Sequence, residues 1–161
     1  MRLPSCANNG QLVLRVVHVD PDHADARRVV AQLDAALAAI TGESGAASFD
    51  PQDCRGAGAC FVLAYDADGS AVGCGAVRVL AGDIGELKRM YARPGSGAGA
   101  HVLAELERHA AACGYRQLWL STRRVNARAV AFYERHGYVP VAPYGRYVGR
   151  SASVCLGRRL P

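Results

Sequence analysis

The chain has 161 residues, of which 50% are hydrophobic and 20% are charged, and its formal net charge is +5. This composition excludes a disordered protein, and no apolar run is long enough to cross a membrane. The length suits one globular domain, so we expect a single domain over residues 1–161. No apolar signal-peptide core follows Met1, and we therefore expect a cytoplasmic protein.

The positive charge is carried almost entirely by arginine, since Lys88 is the only lysine. No block of five or more basic residues occurs, and aromatic residues do not alternate with the arginines. This pattern argues against a nucleic-acid partner. An excess of basic over acidic residues also suits an enzyme whose ligand carries several phosphates.

The first third of the chain predicts a strand, a helix and a long loop. Residues 12–17 form the predicted strand, and the helix begins near Pro21 and stops at Gly42, with apolar residues at helical spacing between them. Residues 43–57 are rich in turn-forming residues. A loop of this length is either functional or mobile.

The middle of the chain predicts an antiparallel meander. Two apolar runs, residues 60–65 and 71–80, flank the turn sequence Asp66-Ala67-Asp68-Gly69 and predict a hairpin. Residues 86–91 alternate between apolar and polar side chains and predict a third strand.

The last third of the chain predicts alternating helices and strands. The expected elements are a helix from about residue 98 to 113, a strand at 117–121, a helix from Asn126 to about His136, and strands at 138–141 and 153–156. The complete order predicts an α/β (α+β) fold. Its central sheet is mixed and mostly antiparallel, with about seven strands flanked by about four helices.

Small residues form the turn at the start of the second predicted helix, in the sequence Gly95-Ser96-Gly97-Ala98-Gly99. The free N–H groups and the dipole of a helix N-terminus favour a phosphate group, and residues without side chains let it approach closely. The turn is either such an anion site or simply flexible.

Two other phosphate motifs can be tested against this turn. A Walker loop is excluded, because Ala100-His101-Val102 enters the helix instead of Gly-Lys-Ser/Thr. A dinucleotide fingerprint needs an acidic residue about 20 residues later. The next strand ends Ser121-Thr122-Arg123 without one, which argues against dinucleotide binding.

At these residues the sequence resembles the GNAT superfamily (GCN5-related N-acetyltransferases). The resemblance extends from Leu12 to Leu156, where the order of the predicted helices and strands is similar to that of the family. It is most specific in residues 85–94, in the glycine turn with its helix, and in residues 126–138, where Asn precedes a helix ending Phe-Tyr-x-x-x-Gly-Tyr. It implies a GNAT-like fold, acetyl-CoA (coenzyme A) as the cofactor, and direct attack of an amine on the thioester.

The pyrophosphate turn departs from the family pattern Arg/Gln-x-x-Gly-x-Gly/Ala. With Gly97 and Gly99 on the two glycine positions, Pro94 stands where Arg or Gln is usual, and Arg93 substitutes only in charge. The loop is shorter than is common by about three residues. Its backbone N–H groups are still available, so we expect cofactor binding to survive, with weaker affinity.

The resemblance implies two catalytic side chains. Glu86 stands where several members carry a general base, which takes the proton of the amine directly or through water. The alternative is a strand-end acid paired with Lys88 or Arg89. Tyr133 stands where the family often has the tyrosine that protonates the leaving thiolate, and the alternative is a packed aromatic residue.

The resemblance also implies the cofactor-binding residues. The N–H of Met90 polarises the thioester carbonyl, and the amides of Tyr91 and Ala92 pair with the pantetheine arm as if it were another strand. Asn126 caps its helix and bonds the same arm. The backbone that holds the pyrophosphate belongs to Gly95, Ser96, Gly97, Ala98, Gly99 and Ala100. A strand that pairs with a ligand must leave its neighbour, so we expect a gap between residues 86–91 and 117–121.

Cysteine and histidine spacing gives no metal motif, and we expect no metal site. The six cysteines are Cys6, Cys54, Cys60, Cys74, Cys113 and Cys155, without a C-x-x-C pair. The last four lie in apolar segments and are expected to be buried free thiols. His101 and His109 are eight residues apart on one helix, too far for one metal. No G-x-S-x-G elbow of a serine hydrolase occurs.

Three functions are compatible with these patterns. The first is an N-acetyltransferase for a small primary amine or amino acid, and the second is a peptide or protein amine acetyltransferase with residues 43–57 and 143–151 as a groove. The third is a non-catalytic acyl-CoA-binding module.

We expect residues 22–57 and 142–151 to wall the acceptor pocket, where an acceptor carboxylate would suit Arg55, Tyr144, Arg146 and Tyr147. We expect no nucleic-acid or membrane partner, and the resemblance also allows a homodimer.

Overall fold

Seven strands form one mixed sheet in the order β1-β2-β3-β4-β5-β7-β6 in the computed structural model, which describes residues 14–161. The strands are β1 (Arg15–His18), β2 (Cys60–Tyr65), β3 (Ala71–Ala81), β4 (Ile84–Ala92), β5 (Gln117–Arg123), β6 (Val139–Pro140) and β7 (Ser153–Arg159). Within residues 14–161, β4 and β5 form the only parallel pair. The predicted mixed, mostly antiparallel sheet of seven strands is confirmed.

Three α-helices accompany the sheet, one fewer than the expected number of about four. They are α1 (Ala24–Thr41), α2 (Ala98–Ala112) and α3 (Ala127–Arg135). Three short 3-10 turns supply the other helical residues of the described chain, at Ala46–Ser48, Pro51–Cys54 and Gly145–Tyr147. The long loop after α1 therefore contains local structure.

The ends of two predicted elements differ from the structure. Helix α1 begins at Ala24 instead of near Pro21, because the His23 ring accepts a hydrogen bond from the Asp25 N–H and caps the helix. The helix stops at Gly42 as predicted, with φ of +82°. The predicted first strand began at residue 12, and residues 12 and 13 lie outside the described residues.

The core has two layers because the sheet is covered on both faces. Along β2, Val62 and Ala64 pack on the α2 side, whereas Phe61 and Leu63 pack on the α1 side. All four side chains are at most 1% exposed. A strand buried on both faces reads as a continuous apolar run, and burial of each large side chain contributes about 1.5–3 kcal/mol.

Three of the four predicted free, buried cysteines are confirmed, namely Cys60, Cys74 and Cys155. Cys54 is also a buried free thiol, which was not predicted, and Cys6 lies outside the described residues. The prediction was wrong for Cys113, which is exposed. It caps the C-terminus of α2, beyond the last core residue of that helix.

Among the helices of residues 14–161, none combines the length and the apolar character that a membrane span requires.

Candidate active site

The parallel strands β4 and β5 separate shortly after they meet. They pair only from Ile84↔Gln117 to Glu86↔Trp119, while β5 stays paired with β7 along its full length. The predicted gap between these strands is confirmed. It opens into a cavity of about 600 Å³, which is within the size range of ligand pockets.

A bulge in β4 turns the end of the strand away from β5. Arg89 has φ of +55°, a left-handed conformation that costs a residue with a side chain about 1–2 kcal/mol. The register against β3 shifts at this point, between Cys74 and Ala76. A bulge bends its strand and increases the local twist, so Arg89 accounts for the direction that β4 takes.

The side chain of Arg89 holds this conformation in place. Its guanidinium donates to the Asp34 carboxylate on α1 and to the carbonyl of Ser44, the latter at 3.2 Å. The Arg89 side chain is only 5% exposed. On the neighbouring strand, a Cβ added to Gly75 would lie 2.6 Å from Met90 Sδ and 2.7 Å from Leu106. Glycine at this position therefore makes room for the bulge.

Three predicted site residues line the cavity. Met90 comes from β4, after the bulge, while Asn126 and Tyr133 come from the start and the middle of α3. Tyr91 and Ala92 continue β4 beyond Met90 and pair with β3. The structure thus brings the predicted cofactor strand and the predicted proton donor to one cavity.

The glycine turn connects the end of β4 to α2. Gly95 and Gly97 have φ of +79° and +70°, and Gly97 is the N-cap of the helix. The Ser96 hydroxyl accepts from the Ala98 N–H at 3.2 Å. The first turn of α2 contains no acidic residue.

Several backbone donors of this turn have no acceptor. Among residues 14–161, the N–H groups of Gly97, Gly99 and Ala100 are unpaired. A Cβ added at Gly99 would lie 3.1 Å from the Phe132 ring, so the helix N-terminus is packed closely against α3. Unpaired donors at a helix N-terminus form an anion site, and this site lies directly after Met90, Tyr91 and Ala92 in the chain.

Asn126 is the N-cap of α3, as predicted. Its side-chain oxygen accepts from the Ala129 N–H at 3.3 Å. The cap leaves the amide N–H₂ of Asn126 without a partner among residues 14–161, and the residue lines the cavity. The amide is therefore able to bond a ligand there.

Tyr133 packs its ring into the core and lines the cavity. It is 7% exposed, and its ring meets those of Phe132 and Tyr138 edge to face. Burial raises the pKa of Tyr133 well above its ordinary value, so the phenol keeps its proton at neutral pH. Its hydroxyl has no hydrogen-bond partner in residues 14–161 and can donate to a ligand.

Glu86 is buried and does not line the cavity. It is 1% exposed, and Arg78 donates to its Oε1 at 2.8 Å. Tyr144 donates to Oε2 at 2.6 Å. Burial, followed by the charge of Glu86, raises the pKa of Tyr144. Tyr144 does not line the cavity either, so its expected place in the acceptor pocket was wrong, and the Glu86 carboxylate can exchange a proton with the cavity only through bridging water.

Lys88 is a site residue that sequence reasoning missed. It lines the cavity, is 8% exposed, and donates to Tyr147 Oη at 3.0 Å and to Ser48 Oγ at 3.3 Å. No carboxylate of residues 14–161 pairs with its ammonium group. The available signal was that the single lysine of the sequence stands in the predicted strand at residues 86–91, beside Glu86.

The two loops predicted to wall the acceptor pocket meet over the cavity. The Arg146 guanidinium donates to the Ala47 carbonyl at 3.1 Å, and Lys88 bridges Ser48 and Tyr147. We call residues 44–48 and 146–150 the roof of the cavity. Both segments contribute to its lining.

The expectation for Arg55 was wrong. Its guanidinium donates to Asp20 and Asp22 in the turn before α1, at 2.6–3.0 Å. These bonds hold the side chain outside the cavity lining. The paired carboxylates lie more than 30 residues earlier in the chain, where spacing alone could not identify them as its partners.

The chain matches known proteins in sequence and in structure. Residues 30–138 match the Acetyltransferase (GNAT) family. An IAA acetyltransferase of Azospirillum brasilense is 36% identical over 83 residues, which is 49% of this chain and 54% of that protein. The matched region thus spans about half the length of this relative.

Solved structures share the fold over almost the whole chain. A protein of Klebsiella pneumoniae subsp. pneumoniae MGH 78578, described as an acyl-CoA N-acyltransferase, superposes with a TM-score of 0.77 and 27% identity, covering 92% of this chain and 99% of that one. A GNAT family acetyltransferase of Staphylococcus aureus Mu50 gives a TM-score of 0.74 at 14% identity, with 92% and 100% covered.

The family match covers more than half of the chain and includes α2, the glycine turn and most of the cavity wall. The separated β4 and β5 strands and the unpaired N–H groups at the start of α2 fit the acyl-CoA chemistry of this family. The chain therefore belongs to the Acetyltransferase (GNAT) family.

Proposed function

We propose that the protein transfers an acetyl group from acetyl-CoA to the primary amine of a small molecule or amino acid that carries a carboxylate. The observation that carries this proposal is the cavity between β4 and β5, which places Met90, Asn126 and Tyr133 beside a buried lysine without a carboxylate partner. The amine attacks the thioester directly.

The cofactor half of the proposal rests on backbone groups. The N–H groups of Met90, Tyr91 and Ala92, beyond the point where β5 leaves β4, would hold the pantetheine arm, and the Met90 N–H would polarise the thioester carbonyl. The N–H groups of the turn from Gly95 to Ala100 would hold the pyrophosphate. Backbone donors of this kind stabilise the charge that develops on the carbonyl oxygen in the transition state.

Two side chains move protons during the reaction. The amine nitrogen attacks the carbonyl carbon and the C–S bond breaks. Glu86 receives the proton of the amine through bridging water, since neither its carboxylate nor the Tyr144 hydroxyl that donates to it lines the cavity. Tyr133 gives its proton to the departing thiolate, and its raised pKa keeps that proton available at neutral pH.

The acceptor carboxylate is inferred from the charge of the cavity lining. Arg89 and Arg123 are each paired with an acidic residue, Asp34 and Glu43 respectively. Lys88, Arg146 and Arg150 also line the cavity and have no such partner among residues 14–161. A buried charge is stabilised when it is paired, so an anionic acceptor would compensate Lys88.

A small acceptor is favoured over a peptide because the roof is closed. Residues 43–57 and 143–151 were expected as the two sides of a peptide groove, yet the Arg146 guanidinium and the Ala47 carbonyl join these segments at 3.1 Å. Lys88 joins them a second time through Ser48 and Tyr147. An extended peptide would have to break these contacts, whereas a small amine fits beneath them.

The first test follows the melting temperature of the purified protein with acetyl-CoA, NADH or ATP. We expect acetyl-CoA alone to stabilise the protein, and the shift to grow with its concentration. Release of free CoA thiol with an amine panel then separates an enzyme from a non-catalytic binding module. Stabilisation without thiol release for any amine would contradict catalysis.

The acceptor is tested with paired amines that differ only in the carboxylate, such as an amino acid and its methyl ester. We expect a higher kcat/KM for the acid, by about tenfold or more if one charge-assisted hydrogen bond is lost. Lys88→Met should remove this preference, while Arg128→Met, an exposed arginine of α3 outside the cavity lining, should keep it. An unchanged preference in Lys88→Met would contradict the assignment.

A further inference from the structure

Two histidines and a cysteine from three different elements meet at the far end of α2 from the glycine turn. His18 ends β1, Cys60 begins β2, and His109 lies in the last turns of α2. One ligand atom from each lies within 4.8 Å of the other two. None of these residues lines the cavity between β4 and β5.

We propose that His18, Cys60 and His109 form a binding site for a zinc-class divalent cation, with Cys113 as the fourth ligand. Imidazole nitrogen and thiolate sulfur are the donors that Zn²⁺ prefers. This inference does not depend on the proposed acetyl transfer.

One ligand atom each of His18, Cys60 and His109 lies within 4.8 Å of the other two, and a bound cation would draw the three closer together. With Zn–N bonds of about 2.0–2.1 Å and Zn–S bonds of about 2.3 Å, neighbouring ligand atoms in a tetrahedron lie about 3.3–3.8 Å apart. Cys113 Sγ is 3.5 Å from His109 Nε2. Cys113 follows His109 by four residues, which places both on one helix face. The exposure of Cys113 leaves its sulfur free to turn towards the cation.

Glu105 lies on the same face of α2 as His109, and its carboxylate supports His18 of β1. Its Oε1 lies 2.7 Å from His18 Nε2. A carboxylate beside a ligating histidine orients the ring and increases its basicity. Arg108 also pairs with Glu105, but its side chain is 65% exposed, so solvent screens most of its repulsion of a cation.

A bound cation would cross-link the edge strand β1 to β2 and α2. Strand β1 has four residues and pairs only with β2 among the described strands. A cation held by β1, β2 and α2 adds a cross-link that is absent from the unfolded chain. Its binding should therefore raise the melting temperature by mass action.

The test uses the full chain without an affinity tag, treated with a chelator and then titrated with Zn²⁺. We expect one bound zinc per chain by atomic absorption and a rise in melting temperature that Mg²⁺ does not produce. Binding of Co²⁺ in place of zinc should give a thiolate-to-cobalt charge-transfer band. A stoichiometry near zero, or an equal effect of Mg²⁺, would overturn the proposal.

Substitutions of the proposed ligands and of Glu105 test where the cation binds. The side chain of His18 is 41% exposed, so His18→Ala is not expected to prevent folding, and it should abolish the zinc-dependent rise in melting temperature. Glu105→Gln should weaken zinc binding by about 10–100-fold. His101→Ala, on the exposed face of α2, is the control and should bind zinc as the parent does. Unchanged affinity in both His18→Ala and Cys113→Ser would also overturn the proposal.

Discussion

The hydroxyl of Tyr144 donates a 2.6 Å hydrogen bond to Glu86, across 58 residues of chain. The other carboxylate oxygen of Glu86 is held by Arg78. The Tyr144 ring also packs against Trp119 and Tyr147, and the hydroxyl of Tyr147 accepts a hydrogen bond from Lys88. The buried carboxylate and the cavity lysine are therefore joined through two neighbouring tyrosines.

This arrangement predicts that Glu86→Gln lowers kcat by about 10²-fold, since the amide cannot accept the proton of the amine. Steady-state kinetics at saturating amine and acetyl-CoA measure this fall in kcat. Asp53→Asn is the control, because Asp53 is the other carboxylate bound by Arg78. An unaltered kcat in Glu86→Gln would refute the role of the base.

Tyr133→Phe tests the proton donor. We expect kcat to fall about 10–100-fold with little change in the KM for acetyl-CoA, because the ring and its packing are retained. Since the pKa of Tyr133 is raised, wild-type activity should show no alkaline loss near pH ~10, where a free tyrosine ionises. Equal kcat values for wild type and variant would exclude the assignment.

The control for this experiment is Tyr138→Phe. Tyr138 is 1% exposed and its ring touches that of Tyr133, but its hydroxyl bonds Glu107 and it does not line the cavity. Loss of that hydrogen bond should cost about 1 kcal/mol of unfolding free energy, with kcat unchanged.

The anion site predicts different outcomes for two glycines with similar backbone strain. Gly97 and Gly114 have φ of +70° and +90°, and an added Cβ would meet nothing within 4 Å at either position. Alanine at each should cost about 1–2 kcal/mol of stability. Only Gly97→Ala should also weaken acetyl-CoA binding in calorimetric titration. Equal affinities for the two variants would show that the turn does not hold the cofactor.

Asp34→Asn tests the support of the bulge. The substitution leaves the nearly buried guanidinium of Arg89 without its carboxylate, although Asp34 is 34% exposed and solvent compensates part of the loss. We expect the free energy of unfolding to fall by about 1–3 kcal/mol in urea denaturation, below the cost for a fully buried pair. Asp22→Asn, at an exposed pair with Arg27 and Arg55, should cost less than 1 kcal/mol.

Much of the fold could be predicted because it depends on local patterns. Apolar periodicity located α1 and α2, the cap Asn126 and Gly137 located α3, and the turn sequence Asp66-Ala67-Asp68-Gly69 located the hairpin of β2 and β3. The gap between β4 and β5 followed from the GNAT resemblance, which implies that the strand at residues 86–91 pairs with the cofactor and so leaves its neighbour. Asn126 was predicted as a cap from its position alone.

The remaining features depend on contacts between distant residues. The alternation of residues 86–91 gives no sign that Arg89 adopts a left-handed conformation, since the bulge is set by Asp34 and Gly75. The expected absence of a metal site relied on spacing within single helices. Spacing of that kind cannot detect His18, Cys60 and His109, which the sheet and α2 bring together.

The dual role of Arg89 restricts how the specificity of this enzyme can change during evolution. Its main chain sets the direction of the strand proposed to hold the cofactor, while its side chain anchors α1 and the start of the roof. Substitutions that reshape the acceptor pocket through α1 or residue 44 therefore also act on the cofactor strand. New acceptors are more accessible through residues 146–150, the part of the roof whose hydrogen bonds involve Ala47 and Lys88 and not Arg89.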